Sequence, residues 1–269
     1  MKKFYLLSVL ASILFVSCQQ EVSDEIFSQV QQCKVVNGYY YGGSTGINDS
    51  ARFIYDASGK IMKWEGAQGY YDYFYSGDNI VLRTFKENGT NDLWWLDSIR
   101  YNANNTISEV VFYDFSQQAS SDTLHSKVIF QYQNNQLYRL IDVDYYDYGF
   151  GPQTDTGYTD VFWNAGNIEK MVFLDVYGNA YDSINYQYNS DPNYFRLVHP
   201  HFFLFDPEFE LHAGFDPHLA YFYSRNNVSS FRIYGNSDYP ITYGIDSLNH
   251  VTEVNMCGFE YMKYRYQCP

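Results

Sequence analysis

Three groups of residues have types and spacings that could do chemistry. Asp142-Val143-Asp144-Tyr145-Tyr146-Asp147-Tyr148-Gly149 sets carboxylates among tyrosines. On a strand, Asp142 and Asp144 share one face. Two such acids serve glycoside hydrolysis when a substrate fits between them, or calcium when several more oxygens join. Neighbouring acids on one strand fix no catalytic separation, and the stretch lacks the further ligands of a calcium loop. It reads as a solvated strand end entering a loop at 149–157. His199 and His201 would project together from an extended chain, and Asp206, His212 or Asp216 could join them around a metal, but the spacing matches no zinc motif. Structural histidines are the plainer reading. Gly42-Gly43-Ser44-Thr45-Gly46 fits G-x-S-x-G. A nucleophile elbow needs a helix after the serine, whereas Ala51 to Tyr55 has strand character, so a hairpin loop is expected. No catalytic residue, metal or cofactor is therefore expected, and the chain is not read as an enzyme. The chemistry that remains is stacking. Trp64, Trp94, Trp95 and Trp163 offer flat faces to a sugar ring, and acidic side chains could bind its hydroxyls. Ordinary cross-strand packing competes for each of them.

These residues must be positioned by strands. Phe53-Ile54-Tyr55-Asp56-Ala57-Ser58-Gly59-Lys60-Ile61-Met62-Lys63-Trp64 reads as strand, tight turn, strand, and similar units recur. An aromatic or aliphatic anchor closes the entering strand and an aliphatic residue opens the returning one. Tyr55 leads to Ile61, Tyr101 to Ile107 and Ile245 to Val251. Asp or Asn opens each of these turns, and Gly or Asn at the fourth position suits the left-handed residue of a type I turn with a bulge. Tyr75 to Ile80, Tyr132 to Leu137 and Trp163 to Ile168 are one residue shorter. Their Gly-Asp, Asn-Asn and Ala-Gly centres suit two-residue turns, Ala-Gly least well. The anchors at 55, 75, 101, 132 and 163 stand 20, 26, 31 and 31 residues apart. Constant turns with variable loops predict an up-and-down meander with its hairpin turns along one edge. Tyr188 is a sixth anchor without a clear returning strand. Residues 191–223 break the rhythm with four prolines, four histidines and interleaved phenylalanines, which argues against central strands. A packed excursion is expected there, with a short helix near Pro207 to Leu211. Tyr261-Met262-Lys263-Tyr264-Arg265-Tyr266 alternates as a closing or edge strand does.

The 269-residue chain carries Tyr 30 and Phe 21, an aromatic fraction of 20%. Its net charge of −14 disfavours nucleic acid and anionic membrane surfaces as partners. The start, Met1-Lys2-Lys3 followed by an apolar run from Phe4 to Val16, resembles a bacterial lipoprotein signal peptide ending in Phe15-Val16-Ser17-Cys18. Phe15 stands where leucine is commonest. Cleavage before Cys18 and lipidation of its thiol would anchor the protein to a membrane. Three cysteines remain. Cys33 paired with Cys257 or Cys268 would tie the first strand to the last, Cys257 paired with Cys268 would staple the terminal hairpin, and unpaired thiols are the third alternative.

The leader, the Tyr55-Asp56-x-x-Gly59-x-Ile61 unit with its relatives and the proline-rich excursion together resemble an uncharacterised family of Bacteroidetes-type lipoproteins. Those carry a porin-like or YD-repeat-like β meander. The resemblance covers about residues 34–266. It implies fold and location and supplies no catalytic residues. The expectations are thus a signal peptide at 1–17, lipidated Cys18 and tether at 18–33, and one all-β domain at 34–269. That domain is expected to be a large, mainly antiparallel up-and-down meander, as a curved sheet or partly closed barrel. Its expected place is the outer membrane, on either face, and its partners a polysaccharide or, alternatively, another envelope protein. Hydrolysis ranks last. The porin-like shape does not imply spanning, because the strands lack an evident outward apolar band with aromatic girdles.

Overall fold

The computed structural model describes residues 33–42, 47–115, 123–146, 153–193, 219–233, 237–248, 250–256 and 260–268. The leader, Cys18, Ser44, Cys257, His199, His201, Asp206, Pro207 to Leu211, His212 and Asp216 lie outside them. The strands are β1 (Lys34–Gly42), β2 (Ile47–Tyr55), β3 (Ile61–Glu65), β4 (Gly69–Ser76), β5 (Asn79–Glu87), β6 (Leu93–Tyr101), β7 (Ile107–Asp114) and β8 (Thr123–Gln133). They continue as β9 (Gln136–Tyr146), β10 (Gln153–Asn164), β11 (Asn167–Leu174), β12 (Ala180–Pro192), β13 (Asn226–Ile233), β14 (Tyr239–Ile245), β15 (Val251–Met256) and β16 (Glu260–Gln267). A short helix, α1 (Leu219–Tyr223), precedes β13.

Each strand pairs antiparallel with its neighbours in sequence, and β1 also pairs with β16. The meander therefore closes completely into a barrel, where the sequence left a curved sheet or partial closure open. A Cys33–Cys268 disulfide, spanning 235 residues, joins the two ends at this seam, beside the Lys34–Gln267 pair. The excursion also begins later than its prolines suggest, because β12 runs through Pro192.

The hairpin turns fall at one end of the barrel. Asp56 and Asp246 accept from the backbone two residues on, as expected, whereas in the 102–106 turn Asn104 is the acceptor. Gly59 and Asn105 take the left-handed conformation at the fourth turn position (φ 90° and 62°). Asn134 with Asn135, and Ala165 with Gly166, take positive φ at both centres of the shorter turns. Just before each anchor the register slips. Tyr55 then faces Ile61, Tyr75 Ile80, Tyr101 Ile107, Tyr132 Leu137, Trp163 Ile168 and Ile245 Val251. Tyr188 repeats the arrangement opposite Val228, which supplies its returning strand, and Tyr266 repeats it opposite Val35 across the seam. All of these aliphatic partners are buried.

A bulge disrupts the ladder locally, and at this end the carbonyls find side-chain donors. The hydroxyls of Tyr55, Tyr75, Tyr101, Tyr188 and Tyr266 donate to the carbonyls of Val35, Ile61, Ile80, Ile168 and Val251 at 2.5–2.9 Å. Trp163 Nε1 donates to the Leu137 carbonyl at 2.6 Å. Ile245 has no donor, and Tyr243, two residues earlier, reaches the Val228 carbonyl at 2.9 Å. Tyr132 instead meets the hydroxyl of Tyr223 in α1. The result is a ring in which Tyr55, Tyr75, Tyr101, Trp163, Tyr188 and Tyr266 are each tied to the preceding hairpin unit. Burial raises the pKa of these hydroxyls, which keeps them protonated donors.

One face of every strand lines the interior. Ala51, Phe53, Tyr71, Tyr73, Met171 and Ile184 are among the buried residues there. The opposite face carries directly opposed charge pairs. Arg52–Glu65, Arg100–Glu109 and Arg139–Asp160 are cross-strand partners whose charged atoms approach to 2.5–2.7 Å. Inside, Arg83 and Asp97 also stand directly opposite and pair at 2.5 Å, 4% and 2% exposed. The guanidinium lies 5.1 Å from the centre of the Tyr71 ring.

Candidate functional site

The end of the barrel opposite the hairpin turns carries the β5–β6, β9–β10 and β11–β12 connections, and two groups of side chains mark its rim. The first forms on β5 and β6. A bulge falls where Phe85 faces Trp95 and Lys86 faces Leu93, so Trp94 is the extra residue. A bulge re-aims side chains, and here both indoles approach one ring. Trp95 stacks on Phe85 at 4.7 Å and 23°, while Trp94 meets the same ring edge-on at 6.1 Å. Phe85 is fixed from below by Gly69. A Cβ at that glycine would stand 2.4 Å from the Phe85 ring, so only glycine admits this close approach. Both tryptophans are half-buried, which leaves part of each indole facing solvent.

The second group forms across β9 to β12. Register places Asp144 opposite Asp155 and Asp142 opposite Gly157, so these acids share the inward face near the rim. Asp182, opposite Phe173, joins the same face from β12. The turn Asp175-Val176-Tyr177-Gly178-Asn179 stands beside them. Asp175 Oδ1 accepts from the backbone N–H groups of Tyr177 and Asn179 at 2.9 and 2.8 Å, and Gly178 supplies the left-handed residue (φ 80°). This fixes Tyr177, 86% exposed, and Tyr181, 62% exposed, on the rim. Desolvation raises the pKa of the Tyr181 hydroxyl, and the charges of Asp142, Asp182 and Asp155 raise it further. That hydroxyl is a proton donor next to acceptors, an arrangement suited to a polyhydroxylated ligand.

The four tryptophans part company. Trp94 and Trp95 meet on the rim. Trp64 is 4% exposed and packs edge-on against Tyr71, so burial takes it out of reach of a ligand arriving from solvent. Trp163 belongs to the hydrogen-bonded ring at the turn end. Asp142 and Asp144 do share a face, as their spacing requires. Tyr177 and Tyr181 are an addition from the structure. Their signal in the sequence is the turn Asp175 to Asn179, which has the length and chemistry of the Asp56 to Lys60 turn but falls at the other end of the barrel.

No family model matches the chain, and no curated protein matches it. Among solved structures it is similar to a porin-like protein from Bacteroides vulgatus ATCC 8482, at 13% identity and a TM-score of 0.45, covering 87% of this chain and 98% of the other. A porin-like protein from Bacteroides uniformis ATCC 8492 matches at 10% identity and a TM-score of 0.39, with the same coverage. A DUF3836 family protein from Bacteroides vulgatus ATCC 8482 covers 32% of this chain and 94% of its own, at 14% identity and a TM-score of 0.25.

Proposed function

We propose that the protein is a lipid-anchored envelope protein that binds a glycan at the loop-end rim. The observation that carries this reading is the pairing of the half-buried Trp94 and Trp95 on Phe85, with the exposed Tyr177 and Tyr181 and their neighbouring acids on the same rim. Aromatic faces stack on the apolar faces of sugar rings, and carboxylates accept from their hydroxyls. The Phe15-Val16-Ser17-Cys18 leader supports the anchor. The charge pairs on the outer face favour a barrel wall in water, with attachment through Cys18 rather than through the wall. The acids on β9 and β10 take the part of ligand acceptors in this reading, not of hydrolytic groups.

The test is affinity electrophoresis of the full chain, carrying Cys18→Ser for solubility, in gels containing host and plant polysaccharides. Trp94→Ala/Trp95→Ala and Tyr177→Ala/Tyr181→Ala variants run alongside. Retardation that either double variant loses, with its circular dichroism unchanged, supports the rim. Retardation by no glycan, or retardation that both variants keep, overturns it.

A second reading rests on a separate feature. Met62, Phe74, Tyr138 and Phe162 are exposed on the outer face, each next in sequence to a ring residue of the turn end. They offer an apolar surface on which an envelope protein could dock. Crosslinking at Phe74 and Phe162 tests it, and a partner recovered from neither position counts against it.

A further inference from the structure

The barrel seam holds a histidine that its turn does not require. His250 closes the turn that opens at Asp246. Asp246 Oδ1 accepts from the backbone N–H groups of Leu248 and His250 at 2.8 and 2.9 Å, just as Asp56 accepts from Ser58 and Lys60. Lys60, Thr106 and Asn179 occupy the same place in the other turns of this length, and none of them is buried. His250 is 0% exposed. Its ring is held on two sides: Nδ1 lies 2.9 Å from Asp246 Oδ2, and the ring stacks on Tyr266 at 4.5 Å and 24°. Nε2 is buried and has no hydrogen-bond partner among the described residues. A ring nitrogen and the sulfurs of Cys33 and Cys268 all lie within 4.8 Å of one another.

We propose that Cys33, Cys268 and His250 form a metal site that opens when the seam disulfide is reduced, and that it takes a thiophilic divalent cation such as zinc. Two thiolates and an imidazole are a zinc donor set, with water in the fourth position. Nδ1 is already engaged by a carboxylate, which leaves Nε2 for the metal and places Asp246 where histidine ligands usually find their orienting partner. The chemistry balances with a dithiol as reductant. Its thiolate attacks the sulfur of Cys268, the exposed member of the pair. The Cys33–Cys268 bond breaks, the reductant closes to its own disulfide, and two protein thiols remain. Binding the cation then releases one proton from each thiol. The metal takes over the role of the disulfide, clasping first strand to last, so the seam stays closed in oxidising and in reducing surroundings.

The test uses the full chain with Cys18→Ser and Cys257→Ser, so that Cys33 and Cys268 are the only cysteines left. Zinc is measured after desalting, with and without prior reduction by a dithiol, and cobalt(II) is used as a spectroscopic probe. The reduced protein is expected to retain about one zinc per chain and the oxidised protein essentially none. Cobalt should give a thiolate charge-transfer band with the visible bands of a tetrahedral site. His250→Ala, folded first with the disulfide intact and then reduced, should lose retention of zinc through desalting. Asp246→Asn should weaken binding by about 10–100-fold. Should His250→Ala not fold, Cys268→Ser provides the same reading, because the site then loses a thiolate. A reduced protein that retains no zinc overturns the proposal. So does a His250→Ala or Cys268→Ser variant that retains zinc as firmly as its parent.

Discussion

Replacing Tyr188 with phenylalanine removes one oxygen atom and should measurably weaken the whole barrel. The hydroxyl donates to the Ile168 carbonyl at 2.5 Å and lies 2.8 Å from Ser224 Oγ. Ser224 Oγ in turn accepts from the Ile168 N–H at 3.0 Å. Ile168 and Ser224 are both 0% exposed, so no water replaces the lost donor from outside. A buried carbonyl left without its donor costs about 1–3 kcal/mol. A loss near 2 kcal/mol corresponds to about 4–8 °C in Tm for a domain of this size. The control is Tyr138→Phe, whose hydroxyl donates to Gln131 on the exposed outer face at 3.0 Å and should matter by less than about 0.5 kcal/mol. Thermal unfolding and urea midpoints followed by circular dichroism measure both. Ser224→Ala combined with Tyr188→Phe should cost less than the two single changes added together, because they share one network. A Tyr188→Phe variant as stable as Tyr138→Phe would refute the reasoning, since the ring of aromatic donors would then be packing alone.

The buried Arg83–Asp97 pair predicts an asymmetry. Asp97→Ala alone should cost about 3–5 kcal/mol by stranding the guanidinium, whereas Arg83→Met with Asp97→Leu should be nearly neutral or stabilising. Equal losses in the two variants, read from urea midpoints, would count against this. Asp175 sets a pH dependence: hydrogen bonds from the Asn179 backbone and side chain lead the causes that lower its pKa. A depressed folded pKa stabilises above the unfolded value of about 3.9 and loses that effect as pH falls through the folded one. The stability gap between the parent and Asp175→Asn should therefore be present at neutral pH and shrink in acid, and a constant gap would contradict it. Ala165 holds φ at 49°, a conformation that asparagine tolerates at Asn134 in the equivalent turn of β8–β9. Ala165→Asn should raise the urea midpoint by relieving roughly 1 kcal/mol of backbone strain, and a fall would show the turn to be limited by something else.

What the sequence made legible was local. Asp56 and Gly59 state their turn because an Asx acceptor and a left-handed residue are needed at those two positions, and the structure uses them so. Asn105 supplies the left-handed residue of the next such turn, where Asn104 Oδ1 accepts from the Thr106 N–H and Asn102 donates its side-chain amide to the Thr106 hydroxyl. Closure was not legible, because whether Tyr266 meets Val35 depends on the accumulated twist and stagger of the whole sheet. The donor ring was half legible. Its anchors recur in the sequence, but the carbonyl each one reaches belongs to a neighbouring unit, 20 residues back for Tyr55 and 14 for Tyr75. Among the tryptophans the chain gave no means of choosing. Trp64 falls inside because it pairs with Phe53, and Trp94 reaches the rim because of a bulge against β5. His250 carried a visible cue in its Asp246 turn, whereas its burial beside the seam depends on closure.

Period-two alternation says that one face of a strand is apolar without saying which way that face points. In a membrane barrel it points outward, with a polar lumen. Here it points inward, and the outer wall is decided by the opposed pairs Arg52–Glu65, Arg100–Glu109 and Arg139–Asp160. At the midplane of a bilayer each exposed cation alone would cost about 2–4 kcal/mol, which favours the proposed attachment through Cys18 over one through the wall. A barrel of sixteen strands then faces a problem of filling, because that strand number in a porin leaves an aqueous channel. Aliphatic residues reach a short way into so wide an interior. Aromatic rings reach further, and an aromatic fraction of 20% answers the geometry. Tyrosine serves better than phenylalanine at the turn end, because six carbonyls there, those of Val35, Ile61, Ile80, Ile168, Val228 and Val251, take a tyrosine hydroxyl donor. The composition that first suggested ligand stacking is thus explained in large part by the barrel itself. Among the described residues, Trp94, Trp95, Tyr177 and Tyr181 on the rim escape this demand, and in the proposed function they meet the ligand.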